Sequence, residues 1–188
     1  MEKISKARTS LSGYNNSWYK PGSRLKQFLW YVASRFFINT YIPFPMFVKR
    51  IILRLFGATI GDNVVIKPKV NIKYPWYLKA ESDIWIGEKV WIDNLTMVTL
   101  ESNVCLSQGC LLLTGNHDFT KTTFDLIVKP IVIETGAWIG AKSTVCPGVT
   151  VGSHAVLAVS SVANKNLEPY SIYQGNPAVF VKTRNITH

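Results

Sequence analysis

Three histidines occur in the 188-residue chain, His117, His154 and His188. Imidazole, with a pKa of about 6.5, is the side chain best suited to proton transfer near neutrality, and as a general base it contributes about 10²–10⁴ in rate. His117 lies in "LLLTGNHDF", residues 111–119, where a regular pattern gives way to an irregular one. It could be a positioned base, or a turn histidine bonded to local backbone; composition alone favours the second. A histidine base works better when an acceptor holds its far nitrogen. Asp118 and Glu134 are the acids nearby, and a backbone carbonyl would serve equally well. His154, in "VGSHAV", falls at an expected solvent-facing corner, and His188 is terminal. A metal hydratase would need three converging histidines, which His117 and His154 do not supply. Cys105, Cys110 and Cys146 are odd in number, without metal-ligand spacing. They are expected to be small packing residues in a reduced, cytoplasmic compartment, since the polar start "MEKISKARTSLSGYNNS" has no signal-peptide pattern.

The element that must position His117 is a repeat. Aliphatic residues recur in steps of six: Ile60, Ile66, Ile72, Leu78; then, after a two-residue shift, Ile86, Ile92, Val98, Val104, Cys110; then Ile133, Ile139, Val145, Val151, Leu157, Ala163. Thirteen of these fifteen positions are Ile, Leu or Val. Glycine often follows (Gly61, Gly87, Gly140, Gly152), and the fifth position is usually small or β-branched. Helices want spacings of three and four, and flat strands want two. A period of six fits short strands joined by tight corners, with three hexads closing one triangular coil. Ile133 then stacks on Val151, Ile139 on Leu157, and Val145 on Ala163. The fold expected is mainly β: a parallel β-helix of about five coils, each rising by roughly 4.8 Å. Residues 58–168 form it, with a loop at 115–132 protruding. Long excursions from a solenoid usually carry function, and His117 is at the root of this one. Residues 169–188 form a C-terminal tail, in which "GNP" at 175–177 is a turn rather than a phosphate loop.

The net charge of +10 is unevenly spread. Residues 1–57 hold ten basic residues and one acid, Glu2, whereas the remainder holds eleven and ten. Such asymmetry points to an acidic partner. "SRLKQFLWYVASRFFINTYIPFPMFVKRIILRLFG" reads as two amphipathic helices broken by Pro43 and Pro45, with a stripe at Leu25, Phe28, Leu29, Val32 and Phe36. No uncharged stretch approaches the ~20 residues needed to span a bilayer. Solenoids need caps, so packing on the first coil is the first expectation for this segment. Contacts between subunits are another. Peripheral association with the inner membrane through residues 20–57 is a further one, suggested by aromatics mixed with Arg and Lys. Nucleic acid is not expected as a partner, because the aromatics follow helical packing rather than a stacking groove. Residues 1–20 are expected to be loosely ordered.

The stretches "RLFGATIGDNVVIKPKVNIKYPWYL", "IWIGEKVWIDNLTMVTL", "TGNHDFTKTTFDLIVKPIVIETGAWIG", "VCPGVTVG" and "YQGNPAVFVKTR" resemble the left-handed β-helix acyltransferases with hexapeptide repeats. The colanic-acid biosynthesis acetyltransferases among them are the nearest in pattern, and the resemblance covers most of the chain. It implies left-handedness, a homotrimer, acetyl-coenzyme A as acyl donor and no metal. It also implies an acetyltransferase acting on a sugar hydroxyl or a lipid-linked saccharide in surface-polysaccharide assembly, with His117 as base. Asp118 is a candidate partner of that base. Asn94, in "WIDNLT", matches a substrate-contacting position, with a simple turn residue equally well supported; Asp93 is the weaker neighbour. For the donor, the resemblance points to Trp138 against the pantetheine and to Gly140, Ala141, Ala158 and Ser160 admitting the chain to backbone amides. Lys165 and Arg184 would meet phosphates. Trp138 could equally be an aromatic buried at a trimer contact. An N-acetyltransferase on an amino sugar and a non-catalytic β-helix scaffold are the competing readings.

Overall fold

The computed structural model describes residues 7–187; residues 1–6 and His188 lie outside them. Short parallel strands stack in three sheets that form the faces of a left-handed triangular prism. Face 1 runs through Thr59–Ile60, Leu78–Ala80, Val98–Leu100, Ile131–Ile133 and Thr150–Val151. Face 2 runs through Val65–Ile66, Trp85–Ile86, Cys105–Leu106, Trp138–Ile139 and Val156–Leu157, and face 3 through Asn71–Ile72, Trp91–Asp93, Leu111–Leu113, Thr144–Val145 and Val162–Ala163. Five coils are complete. A sixth begins where Leu167 bridges to Val151 and Ser171–Gly175 adds to face 2. The tail is therefore part of the sheet: Ala178–Thr183 folds back antiparallel and ends the parallel stack.

The three stacks expected between the last two coils are present: Ile133 on Val151, Ile139 on Leu157 and Val145 on Ala163. The expected phase fails earlier. The inward columns pass through Ala80 rather than Leu78, and through Leu100, Leu106 and Leu112 rather than Val98, Val104 and Cys110. The displaced residues sit two positions before each stacked one and are also buried. Aliphatic side chains two apart both point inward, so the sequence supports either phase; the backbone ladder selects one. Burial pushes the Cys110 thiol up to about 12, which suits a packing residue.

The corrected phase places every insertion on one edge. Coils one and two each carry two extra residues after face 3, and the third coil carries the excursion at the same place. The prism edge between faces 3 and 1 is where His117 leaves.

Hexad glycines are set by the stacking itself. A Cβ on Gly140 would stand 2.6 Å from the Val159 nitrogen and 2.7 Å from the Leu157 oxygen, on the next coil. Gly61, Gly87 and Gly152 meet the following coil equally closely.

The first coil has no coil beneath it, so its carbonyls would be orphaned and its edge open to pairing. Two helices close it. Ser23 caps α1 (Arg24–Phe37) by accepting from the Lys26 amide, and α2 (Met46–Leu55) starts after Pro45. One side chain reaches each face. Arg54 donates to the Ile60 carbonyl, Lys49 Nζ to that of Ile66 at 2.8 Å, and Trp30 Nε1 to that of Ile72 at 2.9 Å. Lys49 is 2% exposed, and burial, with Lys67 nearby, lowers its pKa. The apolar stripe Leu25, Phe28, Leu29, Val32 and Phe36 faces away from the coil. The inner side of α1 is instead the one that brings Trp30 to the orphan carbonyl. Neither helix is long and apolar enough to cross a membrane.

Residues 7–20 depart from the looseness expected of them. They run as a strap over the excursion, fixed by the Ser10 amide on the Thr122 carbonyl at 2.8 Å and by the Tyr19 hydroxyl on the Leu95 carbonyl.

Candidate active site

The excursion is an arm. Gly115–His117 pairs antiparallel with Leu126–Val128, and the Lys129 amide closes its base on the Thr114 carbonyl at 3.0 Å. Thr114, fully buried, anchors the exit: its hydroxyl donates to the Asp93 carbonyl and accepts from the Leu95 amide. Leu95 packs over Gly115 where a Cβ would stand. The arm thus leaves the coil as two rigid strands, and its last residue before the tip is His117.

The imidazole is held from both sides. Phe124 stacks parallel on it, centroids 4.4 Å apart, and Tyr14 of the strap tilts against it at 5.6 Å. His117 Nδ1 lies 2.9 Å from the Phe124 carbonyl. A carbonyl only accepts, so the neutral ring carries its proton on Nδ1 and leaves Nε2 with a free lone pair. Phe124 has φ +53°, a left-handed conformation that is rare for a bulky residue and costs of order 1–3 kcal/mol. That conformation aims its carbonyl at the ring. Leu11, Tyr14, His117 and Phe124 line an open cavity of about 320 Å³. Such an arrangement can take a proton from a hydroxyl entering beside two aromatic rings.

Other expected site residues fare differently. Asp118 does not touch the imidazole; its carboxylate accepts from the Thr120 amide and hydroxyl, which hold its pKa below the usual range. The acceptor orienting His117 is the Phe124 carbonyl, the alternative left open by the sequence. Asn94 is fully buried, with Oδ1 accepting from the Tyr74 amide at 3.0 Å and Nδ2 donating to the Tyr74 carbonyl at 2.6 Å. It clamps one inserted corner to the next, the geometry of the turn role that the sequence left open. Asp93, 8% exposed, pairs with Lys73 at 3.0 Å. It borders a second cavity, of about 300 Å³, between α1 and face 3, with Tyr31, Arg35 and Trp91. His154 is half-buried under Tyr170, the rings 4.7 Å apart, and plays no part in the His117 cavity.

The donor set does not gather on one chain. Trp138 stands on face 2, 46% exposed, its Nε1 donating to Ser107. Gly140, Ala141, Ala158 and Ser160 line the edge between faces 2 and 3, while Lys165 is exposed on the His117 edge. Arg184 is on the third edge, with Nη1 donating to the Gly136 and His154 carbonyls. Trp138, Ser160 and Lys165 are open to a thin acyl donor; Gly140 and Arg184 are already used by the fold. Tyr14, Leu11 and Phe124 carry no sequence signal beyond their distance from His117 in the chain, and they meet it only through the strap and the arm. Among the described residues no cluster of His, Cys, Asp or Glu could hold a metal ion.

No family model matches the chain. WcaF of Escherichia coli (strain K12), named for colanic acid biosynthesis acetyltransfer, is 36% identical over 176 residues, 93% of this chain and 96% of that one. Among solved structures, the hexapeptide-repeat-containing acetyltransferase VCA0836 of Vibrio cholerae, complexed with acetyl coenzyme A, superposes with a TM-score of 0.78 at 21% identity. The match covers 94% of this chain and 96% of that one. A galactoside acetyltransferase in complex with coenzyme A gives a TM-score of 0.73 at 21% identity, over 86% and 82% of the two chains.

Proposed function

The chain belongs to the hexapeptide-repeat acetyltransferases, and from that premise we propose that it transfers an acetyl group from acetyl-coenzyme A to a sugar hydroxyl in surface-polysaccharide assembly. The observation that carries the reading is the His117 geometry: Nδ1 tied to the Phe124 carbonyl, Nε2 free, and an open cavity in front. The donor supplies a thioester carbonyl that the hydroxyl oxygen attacks, with coenzyme A leaving as the thiol. His117 Nε2 takes the hydroxyl proton as the oxygen attacks and returns it to the departing sulfur. The Phe124 carbonyl stabilises the imidazolium between those events and keeps the ring in the reactive tautomer. The Phe124 and Tyr14 rings fix the imidazole plane and give a sugar face an apolar wall.

The placement of Trp138 on face 2, and of Ala141, Ala158 and Ser160 on the edge between faces 2 and 3, away from the His117 edge, supports a homotrimer in which a neighbouring chain brings its donor groups to the arm. Contact with a membrane through residues 20–57 belongs to the same reading. A hydroxyl needs a base to attack a thioester more than a neutral amine does, so an imidazole held with Nε2 free favours an O-linked acceptor over an amino sugar. His117→Ala is expected to lower kcat by about 10²–10⁴ with the fold and oligomer intact. Retention of most activity in a folded His117→Ala protein would remove the base assignment. Thermal stabilisation by acetyl-coenzyme A tests the donor separately.

A further inference from the structure

Both cap helices turn their apolar stripes outward. On α1, Leu25, Phe28, Leu29, Val32 and Phe36 recur at helical spacing and are all exposed, Phe28 at 63% and Phe36 at 62%. On α2, Phe47, Ile51 and Leu55 do the same in steps of four, Leu55 at 78%. Tyr41 and Ile42, between the helices, are exposed as well. The cap does not need these side chains, because Trp30, Lys49, Leu53 and Arg54 make its inward contacts. Large exposed apolar patches mark docking surfaces.

Charge says what docks there. No acidic residue occurs between Glu2 and Asp62. Lys49 and Arg54 are spent on orphan carbonyls and Lys26 lies over Trp76. Lys20, Arg24, Arg35 and Arg50 make no salt bridge among the described residues, with Arg35 lying over the exposed Tyr31 ring at 5.2 Å. A second copy presenting the same face would set like charges together, which disfavours self-association through it. An anionic lipid surface satisfies both features: headgroup phosphates meet the cations, and the acyl boundary accepts Phe and Leu. The helices have 14 and 10 residues and are separated by Pro43 and Pro45, so they suit lying in the interface plane.

We propose that α1 and α2 form a membrane-docking face selective for anionic phospholipids, with the two outward stripes entering the acyl boundary and Lys20, Arg24, Arg35 and Arg50 on the phosphates. This deepens the membrane contact of the functional reading and stands on the helices alone, so acetyl transfer to a soluble acceptor, measured in parallel, fails or succeeds independently.

The full chain is sedimented with phosphatidylcholine vesicles, with and without phosphatidylglycerol. Binding is expected to be at least about tenfold tighter on the anionic vesicles, and to weaken as salt shortens screening toward ~3 Å at 1 M. Phe28→Ser/Phe36→Ser/Leu55→Ser is expected to lose roughly tenfold or more on those vesicles, with the melting temperature unchanged because the three positions are exposed. Arg24→Gln/Arg35→Gln is expected to narrow the anionic preference while keeping the residual binding to neutral vesicles. Three results would overturn the proposal. The chain could fail to bind anionic vesicles, the serine variant could bind as well as the parent, or light scattering could show that variant falling to a smaller oligomer. The last would assign the stripes to a subunit contact.

Discussion

Gly140→Ala separates a packing glycine from a donor-binding one. The new Cβ would meet the Val159 nitrogen at 2.6 Å, the Leu157 oxygen at 2.7 Å and the Ala158 carbonyl carbon at 2.8 Å, where ordinary contact begins at 3.4 Å. All three are backbone atoms of the fifth coil, so no rotamer change relieves the overlap. The coils must part by about 0.8 Å locally. The Gly140 amide, now 2.7 Å from the Leu157 carbonyl, would then sit near the limit of a hydrogen bond. Overpacking costs about 1–3 kcal/mol, and a lost buried backbone bond adds about 1 kcal/mol. The total, about 2–4 kcal/mol, corresponds to a fall of roughly 4–16 °C in melting temperature for a chain of this size. Melting is followed by circular dichroism at matched protein concentration, since oligomers shift with mass action. KM for acetyl-coenzyme A, measured well below the transition, is expected to be unchanged. If the variant melted like the parent and KM rose tenfold, Gly140 would return to the donor site and the stacking argument would be wrong.

Asn94→Ala strips both polar partners from the half-buried Tyr74 backbone. At about 1–3 kcal/mol per orphaned group, it should lower stability by roughly 2–6 kcal/mol and leave the acceptor KM of the folded protein alone; unchanged melting with a raised KM would refute the clamp. Asp118→Asn should keep kcat within roughly threefold of the parent, because the Phe124 carbonyl and not this carboxylate holds His117; a loss in the ~10²–10⁴ range of general-base effects would show that the acid does orient the base. Lys49→Met conserves volume but orphans the Ile66 carbonyl, so a loss of about 1–3 kcal/mol is expected by denaturant titration. Since burial lowers the Lys49 pKa, the unfolded chain binds the extra proton between that lowered value and the ordinary 10.5. Parent stability relative to Lys49→Met should therefore rise with pH through that window and be level below it, where both states hold the proton; an opposite slope would contradict the burial of the ammonium.

The sequence by itself determined the kind of fold, because a six-residue period with small fifth positions has few other solutions. It also determined that the period breaks at Thr114, and hence that His117 marks an exit from the coil. The fold decided the phase: Leu78, Val98, Val104 and Cys110 are as aliphatic or small as their true counterparts, and only the inter-coil ladder shows which residues stack. Tertiary structure decided as well what the polar residues do. The family resemblance leads one to expect Asn94 and Gly140 at the site, yet one side chain is spent on the Tyr74 backbone and the other position on the approach of the next coil. The partner of His117 is a main-chain carbonyl, which has no residue type and leaves no mark in a sequence. Even the helical stripe at Leu25–Phe36 was legible as a stripe but not in its direction. Periodicity reports that one side of a helix is apolar; which side the protein uses was set by three orphan carbonyls at the open end of the first coil, and by the Trp30, Lys49 and Arg54 side chains that reach them.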